Sequence, residues 1–180
     1  MTYIELIDSD IDHDRLWHEF CTVLNDHGLY DTQQISITSI LGDDNWAESI
    51  GKIAKLKHPE RLYRTLNKSF VGTYIEEIIN RYPQYYRWRA MKLLPKTTYT
   101  VHADHNFQKT NIRLHIPVKT NEKCFQQFFE GRPTSGECVT IYHEHLNVGC
   151  SYKVNTTNLH SAVNYGNDFR WHIVGVRYEN

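Results

Sequence analysis

Residues 111–118 read NIRLHIPV, the clearest β-strand pattern in the sequence. Alternate side chains of a strand point to opposite faces, and one face here carries the aliphatic set Ile112, Leu114, Ile116 and Val118. We expect this set to pack beneath helices, while Arg113 and His115 point into the mouth of a barrel, where an anion could contact them. Alternation alone favours a second interpretation over this one, in which the strand is half-exposed and its arginine and histidine are solvated.

Seven more strands are predicted after Pro83, separated by turn signals such as Pro95-Lys96 and Gly166-Asn167. They cover about residues 86–94, 97–104, 123–130, 137–144, 147–154, 158–163 and 168–178. Eight short strands in just under a hundred residues predict a double-sheet jelly roll, a cupin-like barrel of the double-stranded β-helix type. The predicted fold class is therefore mainly β with flanking helices.

The first half of the chain is predicted to be mostly helical. One helical stripe runs from Asp12 to Gly28 and consists of Leu16, Trp17, Phe20, Val23 and Leu24. Helices are also expected at 46–56, 59–66 and 71–82, with a short edge strand at 34–40. We expect a single domain over residues 1–180, in which helices of about residues 1–84 buttress a jelly-roll core of about residues 85–180.

Composition excludes several classes of protein. The 180 residues carry a formal net charge of −1, so no basic field favours nucleic acid, and no apolar run is long enough to predict a membrane span. The first five residues lack the features of a secretory signal. The four cysteines are scattered without a C-x-x-C pair, as in reduced thiols. These features predict a cytoplasmic protein and leave its oligomeric state open.

His102 and Asp104 form the first candidate metal site. They lie two positions apart, so on a strand an imidazole and a carboxylate would project side by side. A second imidazole from a later strand would complete a facial set of two nitrogens and one oxygen, which suits ferrous iron and leaves positions open for substrate and dioxygen. His-x-Asp alone is a weak signal. The eleven histidines of the chain add to the reasons for seeking metal ligands.

Several short blocks, in order, carry a family resemblance. They are His102-x-Asp104, Arg113-Leu114-His115-Ile116-Pro117, Tyr152-Lys153-Val154-Asn155, His160-Ser161-Ala162-Val163-Asn164 and Phe169-Arg170-Trp171-His172. Together they resemble the aspartyl/asparaginyl β-hydroxylase-like family of iron(II)- and 2-oxoglutarate-dependent oxygenases. The likeness covers roughly residues 87–176, about half of the chain. It is specific for the family and says little about the substrate.

The resemblance implies that iron(II) is held by His102, Asp104 and His160. It matches Arg170 to the residue that binds the distal carboxylate of the cosubstrate 2-oxoglutarate. A planar guanidinium can hold a carboxylate through two parallel hydrogen bonds. Arg113 and His115 match a pair near the other end of the cosubstrate.

This sequence departs from the family pattern at one position of the cosubstrate site. Where relatives can have a small hydroxyl residue, this chain has Met91, so either another donor such as Thr98 or Thr100 serves, or the cosubstrate binds in a slightly different position. Arg170 and His172 are expected on one strand face, aimed at the pocket, with Trp171 on the opposite face.

The implied activity is hydroxylation of an unactivated C–H bond with O2, which releases succinate and CO2. The substrate is a free amino acid, such as proline, or an Asp/Asn side chain in a peptide, and the residues do not separate these two. A cupin-type metal enzyme independent of 2-oxoglutarate and a non-catalytic, metal-retaining binding protein remain as alternatives. Arg170 favours the first interpretation, because a cosubstrate dianion gives a deep guanidinium a partner.

Other histidines, one cysteine and a set of aromatic residues are expected to have structural roles. His105 is expected to point away from Asp104 on a strand, and His143-Glu144-His145 lacks the later glutamate of a cupin site. Cys124 has no evident activating base, so a buried thiol is expected. An aromatic set is expected to serve packing rather than the substrate mouth: Tyr82, Tyr85, Tyr86, Trp88 and Phe107.

Overall fold

The computed structural model describes residues 2–52, 55–104, 110–132 and 135–179. Two α-helices lie in these ranges, α1 (His13–Asp26) and α2 (Tyr74–Arg81). The strands are β1 (Ile4–Asp8), β2 (Gln34–Ser36), β3 (Thr38–Ser39), β4 (Thr65–Leu66), β5 (Tyr86–Leu93), β6 (Thr97–Thr98), β7 (Thr110–Lys119), β8 (Cys124–Arg132), β9 (Glu137–Glu144), β10 (Ser151–Asn155), β11 (His160–Asn164) and β12 (Arg170–Glu179).

The strands form two main antiparallel sheets. One has six strands in the order β1-β10-β7-β12-β5-β2, and the other has four in the order β6-β11-β8-β9. β3 and β4 form a separate two-stranded pair. No helix of the described ranges is both long and apolar enough to cross a membrane.

Strand β7 has the two faces that its sequence predicts, but the interpretation as a half-exposed strand is wrong, because Arg113 and His115 are buried. Ile112, Leu114, Ile116 and Val118 belong to a core cluster that also contains the buried side chains of α1 and α2. Trp171 of β12 lies on the same side, with its ring centroid 5.4 Å from that of Phe20 in α1. The helices therefore cover one face of the six-stranded sheet, and the arginine and histidine row faces the four-stranded sheet.

The α1 helix forms where the sequence predicts it. The side chain of Asp12 caps its start by accepting a hydrogen bond from the backbone N–H of Arg15 at 3.0 Å. Leu16, Phe20, Val23 and Leu24 are buried, so the amphipathic stripe faces the sheet. The helix ends just before Gly28, whose φ is 64°.

The description of residues 1–84 as mostly helical is wrong. Residues 46–52 form turns rather than a helix, and 59–66 contain a short 3-10 turn (Glu60–Leu62) followed by β4. The backbone groups of this region bond to other segments, as in the hydrogen bonds from Ser36 N to Trp46 O and from Arg87 N to Tyr63 O. Tertiary contacts therefore override the local helical pattern. The single-domain division near residue 84 stays a prediction.

The eight predicted strands of the second half are all present, with two changes in their bounds. The predicted strand 97–104 is regular only at β6, and β10 begins at Ser151 rather than 147. β1 was not predicted, because only Ile4 of its residues is buried and no alternation marks it. It pairs with β10 at the edge of the larger sheet.

The burial of Leu114 gives a test of the two-faced strand. Leu114→Ala is expected to lower the free energy of unfolding by about 2–5 kcal/mol, because it removes buried methyl groups and leaves a cavity. The matched control Val139→Ala lies on β9, where Val139 is 68% exposed, and should change stability by less than about 0.5 kcal/mol. Denaturant unfolding measures both. Equal costs would contradict the assignment of the aliphatic row to the core.

Candidate metal centre

A cavity of about 600 Å³ lies between the two main sheets. Its walls combine residues of β5, β7 and β12 with residues of β8 and β11. The first half of the chain supplies Gln34, Gly51 and Lys52 to the lining. This half therefore contributes directly to the cavity as well as supporting the sheet.

Three potential metal ligands meet at this cavity. One ligand atom from each of His102, Asp104 and His160, hereafter the ligand trio, lies within 4.8 Å of the others. His102 and His160 form an antiparallel backbone bridge with hydrogen bonds of 3.0 and 2.8 Å, and Asp104 N donates to Thr156 O at 2.9 Å. The segment 97–104 thus runs along β11 through a few separate bonds instead of one regular strand.

Both histidines present the same ring nitrogen. His102 Nδ1 lies 2.7 Å from Thr100 O, and His160 Nδ1 lies 2.9 Å from Asn158 O. A carbonyl oxygen can only accept, so each Nδ1–H donates and each Nε2 of the neutral ring keeps its lone pair. Backbone carbonyls that fix the tautomer in this way are typical of metal-ligating histidines.

The charge states of the trio suit a divalent cation. Burial alone would raise the pKa of Asp104, but Arg113, His160 and His102 together lower that pKa to about 2. Burial lowers the pKa of His160 to about 4. At neutral pH the trio therefore offers a carboxylate and a neutral His160 imidazole, the protonation states that metal binding requires.

Arg113 connects the trio to a second carboxylate. Its Nε and Nη2 each lie 3.0 Å from Asp104 Oδ2, and its Nη1 lies 3.6 Å from Glu60 Oε1. Glu60 also accepts hydrogen bonds from Arg87 and Tyr178. The structure thus places Arg113 against a ligand of the trio as well as in the cavity lining.

Arg87 holds a strained backbone conformation, with φ at 50°. It lies where the register of β5 against β12 shifts between Val174 and Val176. Its guanidinium also donates to Ser49 O at 2.8 Å and to Gly51 O at 2.7 Å. These contacts compensate the strain and fix Glu60 beneath Arg113. Sequence reasoning missed both Arg87 and Glu60, and only the alternating cations in RWR (87–89) could have signalled the former.

Arg170 lies in the same cavity without an acidic partner. It is 3% exposed, and its Nε has no hydrogen-bond partner among the described residues. Those residues include every aspartate and glutamate of the sequence, and none is within ion-pair distance of Arg170. A buried, unpaired guanidinium is costly, so this end of the cavity is suited to an anion.

His115 and His172 lie between Arg170 and the trio. Their Nδ1 atoms are 3.3 Å apart. Burial, and to a smaller extent the positive charge of Arg170, keeps the pKa of each histidine well below its usual value. His115 lines the cavity, whereas His172 is buried behind it. The neutral pair supplies hydrogen-bonding groups without adding charge.

Met91, which replaces the small hydroxyl residue of the family pattern, is part of the cavity wall. Thr100 also lines the cavity. The hydroxyl of Thr98 is engaged with Ser161 Oγ at 3.1 Å and Ala162 O at 3.2 Å. Thr100 is therefore the better placed of the two hydroxyl candidates.

The remaining candidates lie elsewhere or outside the described ranges. His143 and His145 contact the ring of Phe125 and do not join the trio. Cys124 is buried, as expected. Four members of the aromatic set are buried and are not part of the cavity lining: Tyr82, Tyr85, Tyr86 and Trp88. His105 and Phe107 belong to residues 105–109, which the structure does not describe.

Comparisons with known proteins identify the fold. No family model and no curated protein matches the chain. The viral collagen prolyl hydroxylase vCPH of Paramecium Bursaria Chlorella virus-1, in a truncated form, is similar in structure with a TM-score of 0.56 and 14% identity over 99% of this chain and 91% of that chain. Its complex with 2OG gives a TM-score of 0.52 and 13% identity, over 99% and 97%.

A third similar structure is the non-heme alpha ketoglutarate dependent epimerase SnoN from nogalamycin biosynthesis. Its TM-score is 0.53 and its identity 11%, over 97% of this chain and 76% of that chain. At such identities the likeness concerns the fold alone. The fold is mainly β, with the double-stranded β-helix of these structures, and the predicted fold class is confirmed.

Glu60 is expected to stabilise the folded state through Arg87 and Arg113. Glu60→Gln should lower the free energy of unfolding at pH 7 by about 3–5 kcal/mol, because it leaves the buried guanidinium of Arg87 without a countercharge, whereas Arg113 keeps Asp104. The matched control Glu77→Gln removes an exposed carboxylate that pairs with Arg15 and should cost at most about 1 kcal/mol. Urea unfolding of both variants measures the difference.

The pH dependence of that difference has a definite sign. Burial would raise the pKa of Glu60, but Arg113, Tyr178 and Arg87 together lower it below its ordinary value. The stabilisation is therefore complete above the unfolded pKa of about 4.3 and is lost as pH falls through the folded value. A difference between wild type and Glu60→Gln that grew on acidification would contradict this assignment.

Metal binding by the trio can be measured without turnover. The wild-type protein is expected to bind one equivalent of Mn(II), a redox-stable substitute for ferrous iron, in calorimetry at pH 7. His160→Ala or Asp104→Ala should weaken binding more than about 100-fold, because even outer partners of metal ligands contribute about 10–100-fold. His143→Ala serves as the control. Undiminished binding by either trio variant would remove that residue from the site.

Proposed function

We propose that this protein is an iron(II)- and 2-oxoglutarate-dependent dioxygenase of the aspartyl/asparaginyl β-hydroxylase-like type. It hydroxylates an unactivated C–H bond of a free amino acid or of an Asp/Asn residue in a peptide and releases succinate and CO2. The observation that carries the proposal is the unpaired, buried Arg170 in the cavity that also holds the ligand trio. A metal site and a carboxylate site in one cavity fit this cosubstrate.

The donor set supports iron. Two neutral imidazole nitrogens and one carboxylate oxygen form the facial set that suits ferrous iron, and Asp104 offsets one of its two positive charges. His102, Asp104 and His160 would hold the ion. When bound, iron supplies the activation of O2 and the oxidative decarboxylation of the cosubstrate.

The protein's own residues bind and orient the reactants. Arg170 pairs with the distal carboxylate of 2-oxoglutarate through charge-assisted hydrogen bonds. Arg113 orients the Asp104 carboxylate and, with it, the trio. His115 lines the cavity between the two sites with a neutral ring, and His172 is buried behind it.

The similar structures agree with this proposal without fixing the reaction. The viral hydroxylase was solved in complex with 2OG, and SnoN is described as an epimerase. The same fold therefore supports more than one outcome. Unpaired Arg170 favours 2-oxoglutarate over a cupin-type enzyme that uses no cosubstrate dianion.

The test has a binding step and a turnover step. Anaerobic addition of Fe(II) and 2-oxoglutarate should give the weak visible charge-transfer band of their complex. A screen of free amino acids and peptides under O2 should then identify substrates that stimulate succinate release. His160→Ala should abolish both signals while His143→Ala keeps them. Absence of the band with the wild-type trio intact would refute the proposal.

Arg170 is expected to determine cosubstrate affinity. Arg170→Met should raise the Kd for 2-oxoglutarate about 10–100-fold, the equivalent of a charge-assisted pair of about 1.5–3 kcal/mol. Arg170→Lys keeps the charge but loses the bidentate geometry and should give an intermediate Kd. Titration of the charge-transfer band measures all three proteins. An unchanged Kd in Arg170→Met would remove Arg170 from the cosubstrate site.

A further inference from the structure

Arg89 is a second unpaired cation in the cavity. It lies on β5, is 6% exposed and lines the cavity wall. Its Nε has no hydrogen-bond partner among the residues that the structure describes. No aspartate or glutamate, all of which are described, lies within ion-pair distance. The metal site and the proposed cosubstrate site leave this guanidinium unused.

Arg89 and Arg170 extend from different rows of the sheet. Arg170 pairs with Leu93 across β12 and β5, whereas Arg89 pairs with Val174. Four residues along a strand separate the two rows, or about 13 Å at roughly 3.3 Å per residue. Val174 in turn pairs with His115 of β7, two residues from Arg113, whose guanidinium lies 3.0 Å from Asp104. Arg89 therefore lies on the side of the ligand trio.

The charges in the cavity leave a need for a further anion. Four buried arginines line it, Arg87, Arg89, Arg113 and Arg170, against the two carboxylates of Asp104 and Glu60. Iron(II) would add two positive charges and 2-oxoglutarate two negative ones, so the excess of two positive charges persists. Burial and the guanidinium groups of Arg87 and Arg113 lower the pKa of Arg89 to about 9, which an anionic partner would reverse.

The cavity has room for a second molecule. The ten non-hydrogen atoms of 2-oxoglutarate occupy at most about 300 Å³, if each is given the roughly 30 Å³ share of a liquid water molecule. About half of the cavity of about 600 Å³ then remains. That space suffices for a compound of amino-acid size.

We propose that Arg89 binds a carboxylate of the substrate and thereby selects acids over the corresponding amides. This inference rests on the proposed function and narrows its substrate class. The carboxylate is the α-carboxylate of a free amino acid or the side chain of an aspartate in a peptide. Arg89 is then a specificity-determining residue, because an amide leaves its buried charge unpaired.

Matched acids and amides test the proposal through turnover. Free L-amino acids are compared with their carboxamides, and Asp-containing peptides with their Asn counterparts, as stimulants of succinate release. We expect only the acids to stimulate wild type. The pair that responds identifies which carboxylate is bound. In Arg89→Met the KM for that acid should rise at least tenfold.

A binding measurement tests it without turnover. Wild type loaded with Mn(II) and 2-oxoglutarate is titrated calorimetrically with the same acids and amides. Arg89→Met should bind the acid at least tenfold more weakly, Arg89→Lys should restore part of the affinity, and the Kd for 2-oxoglutarate should stay unchanged. Arg177→Met is the control, since Arg177 is partly exposed and lies 3.5 Å from Glu179, outside the cavity.

Several outcomes would overturn the inference. Equal binding of acids and amides, no binding of any acid, or undiminished acid binding by folded Arg89→Met would each do so. A rise in the 2-oxoglutarate Kd in Arg89→Met equal to that in Arg170→Met would assign Arg89 to the cosubstrate instead. These results leave the wild-type charge-transfer band intact. Failure of the proposed function would remove that band, so the two failures are distinguishable.

Discussion

Compensation of buried positive charge organises the interior of this protein. Four arginines occupy the space between the two sheets, and only Asp104 and Glu60 lie within ion-pair distance of any of them. The two carboxylates serve Arg87 and Arg113, which are held in place. Arg89 and Arg170 have no such partner. Since unpaired buried charge is costly, the unpaired guanidinium groups are the groups available for anionic ligands.

The pairing of Arg113 with Asp104 links this charge balance to the metal centre. Arg113 lies 3.0 Å from Asp104 and is itself supported by Glu60 at 3.6 Å. The Asp104 carboxylate is thereby kept ionised and oriented, while backbone carbonyls set the tautomers of the two histidines. Charge pairing therefore preorganises the carboxylate ligand, and backbone hydrogen bonds preorganise the two histidine ligands.

The first half of the chain completes the site instead of only covering the sheet. Its helices bury the aliphatic face of β7 and the ring of Trp171. The segment between them provides Glu60 and lines the cavity with Gln34, Gly51 and Lys52. Its residues 46–56 and 59–66 were predicted to be helical, and its residues 34–40 were predicted to form an edge strand. Its irregular path follows from contacts with β5, including the three hydrogen-bonding partners of Arg87.

The sequence by itself determined the two-faced strand at 111–118, the eight strands of the second half and the amphipathic α1, because periods of 2 and 3.6 residues are local properties of the chain. It also singled out His102, Asp104, His160 and Arg170 as candidates, partly through a family resemblance. Only the tertiary structure decided which charges are paired. Glu60 and Arg113 are 53 positions apart in sequence, and no local pattern reports that their side chains meet while Arg89 and Arg170 stay unpaired.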